Sequence, residues 1–87
     1  MSQALNEPIS VITIYNSDKQ TVMPYKVNWH GRDYRITKLG YHHKVRVGRT
    51  LIHIFSVCTE TTAFKLQLDT DTLHWIVEEI YEESAIQ

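Results

Sequence analysis

The chain has 87 residues, a formal net charge of −1 at pH 7 and a hydrophobic content of 43%. This length allows one domain, because a second would be too small to bury a core of its own. The composition is that of a folded chain rather than a disordered one. The near-neutral total excludes a domain that is strongly basic or acidic as a whole, but it conceals two segments of opposite sign.

The basic residues are concentrated in the middle of the chain. Residues 19–53 contain eight of the nine Lys and Arg residues and one acid, which gives a local balance of +7. Residues 54–87 contain one base and seven acids, a balance of −6. A clustered basic segment is a typical footprint of nucleic-acid binding, whereas two opposed segments also favour protein–protein contact.

Cysteine content and hydropathy indicate a soluble intracellular protein. The single cysteine, Cys58, has no partner for an internal disulfide, and small secreted domains usually carry several. The N-terminus has no basic and apolar leader of the signal-peptide kind. The longest apolar stretch, residues 51–58, is far shorter than the roughly 20 residues that span a membrane. We therefore expect a cytoplasmic protein with no membrane partner.

The first half of the chain predicts strands joined by short turns. Residues 1–8 are polar and end in a proline, so we expect a flexible lead-in before a single β domain over 9–81. Residues 9–15 are rich in β-branched side chains and predict a strand, and 16–20 predict a turn. Two runs of alternating apolar residues within 25–37 predict a half-buried hairpin.

Two Gly-Arg dipeptides predict hairpin turns of type II′, because glycine readily adopts the positive φ of the first central position. A turn at residues 31–32 would place Trp29 opposite Tyr34. A turn at 48–49 would place Val47 opposite Thr50 and Val45 opposite Ile52, and it would lead into a strand over 51–57. This strand is apolar on both faces, so we expect it to be central in the sheet.

The last third of the chain predicts one more hairpin, with an acidic loop. Apolar residues alternate over 64–68. A loop at residues 69–72 would then place Leu68 opposite Leu73. The residues after this loop also fit helical spacing, but we favour a strand at about two to one, because short apolar runs are ambiguous by period. In the residues after Glu79 we expect either a frayed end or a short helical turn, and a tail follows over 82–87.

These elements predict a mostly β fold without βαβ units. About six strands with short connections form a single antiparallel meander. A meander of this size must curl to bury one face and to protect its edges. We therefore expect a rolled sheet or a half-open barrel.

The spacing of aromatic, glycine and acidic residues resembles a known family. A W-x-G-R-x-Y strand–turn–strand at residues 29–34 is followed by an F-x-L-x-L strand with an acidic turn at 64–69, and then by Trp75. The pattern over 7–81 resembles a small bacterial domain of unknown function, some members of which are encoded near DNA polymerase or repair genes. The resemblance implies a β-rich fold and a role connected with nucleic acid, and it assigns no activity. The sequence differs from the family at 41–43, where Tyr-His-His replaces an aromatic-rich centre.

The basic strands and turns predict a nucleic-acid-binding surface. Cations that alternate with apolar residues would share the outer surface of the sheet, where they can neutralise phosphates and where an aromatic ring can stack on a base. The simpler interpretation is that Lys and Arg on exposed strands prevent edge pairing. The alternative function is a protein-interaction or self-associating module in which the basic middle meets an acidic end. The candidate residues are Lys26, Arg32, Arg35, Tyr41, His42, Lys44, Arg46 and Arg49.

The sequence contains no catalytic pattern, so we expect a binding protein rather than an enzyme. The adjacent His42 and His43 would point to opposite faces of a strand and could not chelate one ion together. No zinc-type ligand spacing occurs. Cys58 ends an apolar strand and lacks the basic, exposed setting of a catalytic thiol. We expect no metal site, no cofactor and no small-molecule ligand.

Overall fold

The computed structural model describes residues 2–82, in which eight strands and no helix occur. The mostly β class predicted from the sequence is therefore confirmed, with two strands more than expected. The predicted tail lies outside the described residues except for Glu82, which ends the last strand. The strands are β1 (Ser2–Pro8), β2 (Ser10–Asn16), β3 (Thr21–Trp29), β4 (Arg32–Arg35), β5 (Lys38–Val47), β6 (Thr50–Cys58), β7 (Thr62–Asp69) and β8 (Trp75–Glu82).

The strands form two antiparallel sheets rather than one rolled sheet, and the sheets do not close into a barrel. The larger sheet has the order β1-β8-β7-β6-β5, and the smaller has the order β2-β3-β4. The chain passes from the larger sheet to the smaller at Ile9 and returns at residues 36–37. The Ile36 N–H donates to Tyr25 in the smaller sheet at 2.9 Å, and the Thr37 N–H donates to Cys58 in the larger sheet at 2.8 Å.

The core lies between the inner faces of the two sheets. Val27 of the smaller sheet is fully buried and packs in one cluster with Phe55, Leu66 and Val77 of the larger sheet. Trp29 and other half-buried side chains complete this cluster. Each fully buried aliphatic or aromatic side chain contributes about 1.5–3 kcal/mol to folding relative to an exposed one, so this layer supplies most of the driving force.

The first predicted hairpin has the expected faces but a different register. Its turn residues are His30 and Gly31, with φ of 52° and 78°. Positive φ at both central positions defines a type I′ turn rather than type II′. Trp29 therefore pairs with Arg32, not with Tyr34. A shift of two residues keeps every side chain on its predicted face, which is why alternation alone could not detect it.

The second Gly-Arg hairpin is confirmed in both turn position and register. Val47 pairs with Thr50, and Val45 pairs with Ile52. Gly48 has φ of 62°, the left-handed conformation that a glycine leading a two-residue loop adopts without strain. This hairpin joins β5 to β6 and fixes which side chains of β5 share a face.

The last hairpin is also two residues out of its predicted register. Leu68 pairs with Trp75, while Leu73 lies in the loop at φ 64° with 71% of its surface exposed. The Asp69 carboxylate accepts hydrogen bonds from two backbone N–H groups of this loop, including that of Asp71 at 2.8 Å. Hydrogen bonds that an Asp carboxylate accepts from the backbone N–H groups of the following residues stabilise such a loop. The preference for a strand over a helix after the loop is confirmed.

The structure corrects the expectation of a flexible lead-in over residues 1–8. Residues 2–8 form strand β1, which pairs antiparallel with β8. Half-buried Leu5 packs against the core cluster, and Asn6 takes φ of 56° at a register shift in the ladder. Backbone pairing requires no alternating pattern, so a polar segment can complete a sheet without a signal in its sequence.

Candidate functional site

Strand β5 is an open edge of the larger sheet. It is ten residues long and hydrogen-bonds to β6 alone among the described strands. In a two-residue hairpin, the pair that flanks the turn exchanges two backbone hydrogen bonds, and such pairs recur at every second residue. Val47 flanks the β5–β6 turn, and the ladder is regular back to Tyr41, where a register shift separates it from Leu39; the odd-numbered residues of this regular stretch therefore bond to β6. The backbone N–H and C=O groups of His42, Lys44 and Arg46 therefore face the open side.

The side chains of these three residues also share one face. His42 lies opposite Phe55 and Lys44 lies opposite His53, so they are on the face of the larger sheet that carries the core. All three side chains are exposed, since this part of the face extends beyond the buried cluster. We call His42, Lys44 and Arg46 the basic row.

The opposite face of β5 is apolar and exposed. Tyr41, Val45 and Val47 have 51%, 40% and 64% of their surfaces exposed. The Tyr41 ring stacks on His43, with 5.2 Å between the ring centroids. We call Tyr41, His43, Val45 and Val47 the apolar row. The edge strand thus presents cations on one face and apolar side chains on the other.

A histidine pair supports one end of the basic row. His42 Nε2 and His53 Nδ1 are 2.7 Å apart, and the His42 ring lies parallel to Phe55 with centroids 4.3 Å apart. Burial lowers the pKa of both histidines, and the nearby charge of Lys44 lowers both further. A hydrogen bond between two imidazoles needs one of them neutral as the acceptor, so these pKa shifts favour the pair near neutral pH.

Within the larger sheet, the cationic strand β5 and the acidic strand β8 lie on opposite sides of the central strands β6 and β7. Strand β5 contains three cations and no acid, and the central β6 contains no Lys, Arg, Asp or Glu. Strand β8 contains three glutamates, and β1 adds Glu7. Lys65 of β7 forms the ion pair with Glu78, at 3.4 Å, and Glu78 is the main cause of the raised pKa of Lys65. Among the described side chains, no Lys or Arg of residues 19–53 lies within ion-pair distance of a carboxylate.

The backbones of the cationic strand β5 and the acidic strand β8 are well separated. Strands β5 and β8 are three places apart in the sheet order, which corresponds to about 14 Å at the usual strand spacing. The screening length is about 8 Å at physiological ionic strength. Glu78 lines a groove with Val45 and Val47 on the outer face of the sheet, so the positive potential available to a partner is that of the basic row on the core-side face.

The other predicted binding residues lie elsewhere, so the eight candidates do not share one face. Lys26 and Arg35 are cross-strand neighbours in the smaller sheet, on the face away from buried Val27. The Arg35 guanidinium lies 5.6 Å from the centre of the Tyr25 ring. Arg32 lies at the same distance from the Tyr34 ring, Arg49 is in the β5–β6 turn, and Tyr41 is in the apolar row.

A groove opens between the β2–β3 hairpin and the start of β5. Its volume is about 550 Å³, and its lining is mostly apolar, with Tyr25 and Leu39 in its walls. Lys19, Lys38 and His42 also line it, and no acidic residue does. His42 thus belongs to both the groove and the basic row.

Two features of the site were missed in the sequence. His53 was not connected with His42, although the correctly predicted β5–β6 register makes them diagonal neighbours on one face. The position of β5 at an edge was not predicted either, because which strand ends a sheet depends on the whole topology. No cluster of three or more metal-ligating side chains occurs among residues 5–81, whose side chains the structure describes.

Comparisons with protein-family models, with curated proteins and with solved structures found no match to this chain. Within the described residues, no helix is long and apolar enough to cross a membrane. The geometry of the site is therefore the basis for the function proposed below.

Proposed function

We propose that the protein is an interaction module that binds an acidic segment of a protein partner at the basic edge of its larger sheet. The observation that carries the proposal is the charge separation across that sheet. Strand β5 contains the cations Lys38, Lys44 and Arg46 and no acid. Complementary charge gives such an interface its association rate and its specificity. The open backbone and the apolar row next to the cations add the contacts that a polypeptide partner can use.

The proposal is tested by reversing charge at the basic row and, as a matched control, at a distant cationic pair. The variant K44E/R46E and the control K26E/R35E change the net charge equally, but the control lies on the smaller sheet. The probe is a labelled twelve-residue peptide rich in Asp and Glu, titrated by fluorescence anisotropy at about 50 mM salt, where screening is weak. Exposed ion pairs contribute about 0.2–1 kcal/mol each, and reversal turns attraction into repulsion. We expect K44E/R46E to weaken binding about tenfold or more, while K26E/R35E keeps most of the affinity.

Two results would contradict this function. The wild-type protein could fail to bind the acidic peptide at the lower salt concentration. Alternatively, the two charge-reversal variants could weaken binding equally, in which case net charge rather than the basic edge determines affinity. Circular dichroism of each variant establishes that the β fold is retained.

Nucleic-acid binding, the first prediction from the sequence, is a second candidate because of the groove beside the basic row. A groove with Tyr25 in its wall, cations in its lining and no acid can accept a base and neutralise a neighbouring phosphate. The test is a binding titration with labelled single-stranded and double-stranded oligonucleotides at about 50 and 200 mM salt. Binding of an oligonucleotide together with no binding of the acidic peptide would replace the first proposal by the second.

A further inference from the structure

The open side of β5 presents backbone groups that can extend the sheet. The N–H and C=O groups of His42, Lys44 and Arg46 have no strand partner among the described residues. We infer that an extended acidic peptide binds here as an added antiparallel strand, with acidic residues at every second position and apolar residues between them. This inference rests on the proposed function and specifies how the partner binds and what sequence pattern it carries.

The pattern follows from the alternation of side chains along β5. In an added strand, residues directly opposite Lys44 and Arg46 point to the same face as these cations, with Cβ atoms about 5 Å apart. Acidic side chains at those positions form cross-strand ion pairs. The residues between them point to the other face, beside exposed Val45. Apolar side chains of the peptide at these positions cover the apolar row, and the burial of apolar surface stabilises the complex.

The charge of β5 argues against a second copy of the same strand as the occupant. Strand β5 has cations at three of its ten positions and no acid, so pairing with itself would bring like charges together. Strand β1, at the other edge of the sheet, is a poor donor as well. It is seven residues long with a register shift in the middle of its ladder, and it ends at Pro8, which has no N–H, whereas the register shift of β5 lies before the regular stretch 41–47. Cations on an edge exclude neutral and basic strands, and they leave an acidic strand as the preferred occupant.

The test uses peptides that differ only in pattern or in backbone methylation. The first is a capped twelve-residue peptide of alternating Glu and Val, and the second has the same six Glu and six Val residues in a repeating Glu-Glu-Val-Val order. Two further peptides have the alternating sequence with N-methyl groups on either the Glu amides or the Val amides. In an antiparallel added strand, the residues opposite Lys44 and Arg46 bond to β5, so the Glu amides are buried in the ladder and the Val amides face solvent.

We expect the alternating peptide to bind at least tenfold more tightly than the paired-order peptide. Methylation of the Glu amides should weaken binding at least tenfold, whereas methylation of the Val amides should leave it within about twofold; a tenfold change corresponds to about 1.4 kcal/mol. Equal binding of the two methylated peptides, or the reverse order, would overturn antiparallel strand addition.

Failure of this inference can be distinguished from failure of the proposed function. If all four peptides bind equally and K44E/R46E abolishes binding of each, the basic edge binds acidic peptides without adding a strand. If no acidic peptide binds the wild-type protein, both the function and the inference are wrong. Concentration-dependent dimers that block peptide binding would show that a second copy occupies the edge, which also overturns the inference.

Discussion

Replacing Leu73 by asparagine tests the register of the β7–β8 hairpin, because the two available registers predict opposite effects on stability. In the structure, Leu73 lies in the loop at φ 64°. In the register expected from alternation, it would be a strand residue opposite Leu68. Asparagine tolerates the left-handed conformation far better than leucine does, but it is a poor strand residue on an apolar face.

The magnitude follows from the conformation and the exposure of this side chain. A left-handed residue with a side chain such as leucine's costs about 1–2 kcal/mol. Leu73 is 71% exposed, so the substitution forfeits under a third of the roughly 1.5–3 kcal/mol that a fully buried leucine contributes. The net expectation for L73N is a gain of about 0.5–1 kcal/mol in the free energy of unfolding. This gain corresponds to a rise of roughly 2–8 °C in Tm for a domain of this size.

The assay is thermal and urea denaturation followed by circular dichroism, with L66A as the reference for a buried site. Leu66 is fully buried, and its truncation should cost about 2–5 kcal/mol. If L73N instead lowers the free energy of unfolding by more than about 1 kcal/mol, Leu73 packs as a strand residue and the hairpin register described above is incorrect.

Two further predictions concern the histidine pair and the first hairpin. The folded chain holds the pKa of His42 and His53 below the ordinary value of 6.5, so the unfolded chain binds more protons as the pH falls. The contribution of the histidine pair to the free energy of unfolding should be fully present above about pH 6.5 and should decline as the pH falls from there towards the lowered pKa values. The variant H42Q/H53Q should therefore show a smaller decline in Tm between pH 7.5 and 5.5. An unchanged pH dependence in this variant would refute the role of the pair. The substitution G31A should lower Tm by roughly 4–8 °C, because alanine pays about 1 kcal/mol or more at a φ of 78°, and an unchanged Tm would exclude the type I′ turn.

The sequence predicts the faces of the strands better than their registers. Alternation places Trp29 and Val27 on the same side of the chain, and the structure agrees. A slip of two residues preserves this alternation, so the hairpins at Gly31 and Leu68 could be shifted without any conflict in the pattern. Local turn chemistry decided both registers. His30 accepts a positive φ, and the Asp69 carboxylate caps a longer loop.

The candidate site was only partly visible in the sequence for a similar reason. Alternation correctly separates Lys44 and Arg46 from Val45. It also suggests that the apolar residues face the core, but here the cations are on the core side of the sheet and Val45 is 40% exposed on the outer face. The reason is that the smaller sheet covers only part of the larger one. The extent of that cover depends on how the chain crosses between the sheets at Ile9 and at residues 36–37, which is a long-range feature.

Strand addition at β5 is tested most directly by hydrogen exchange of individual backbone amides, measured by NMR with and without the alternating Glu-Val peptide. The amides of His42, Lys44 and Arg46 face the open edge, whereas those of His43 and Val45 already bond to β6. We predict that saturating peptide slows exchange at least tenfold for the three edge-facing amides and leaves the other two nearly unchanged. Unaltered exchange at the three edge-facing amides, with the peptide demonstrably bound, would contradict strand addition at β5.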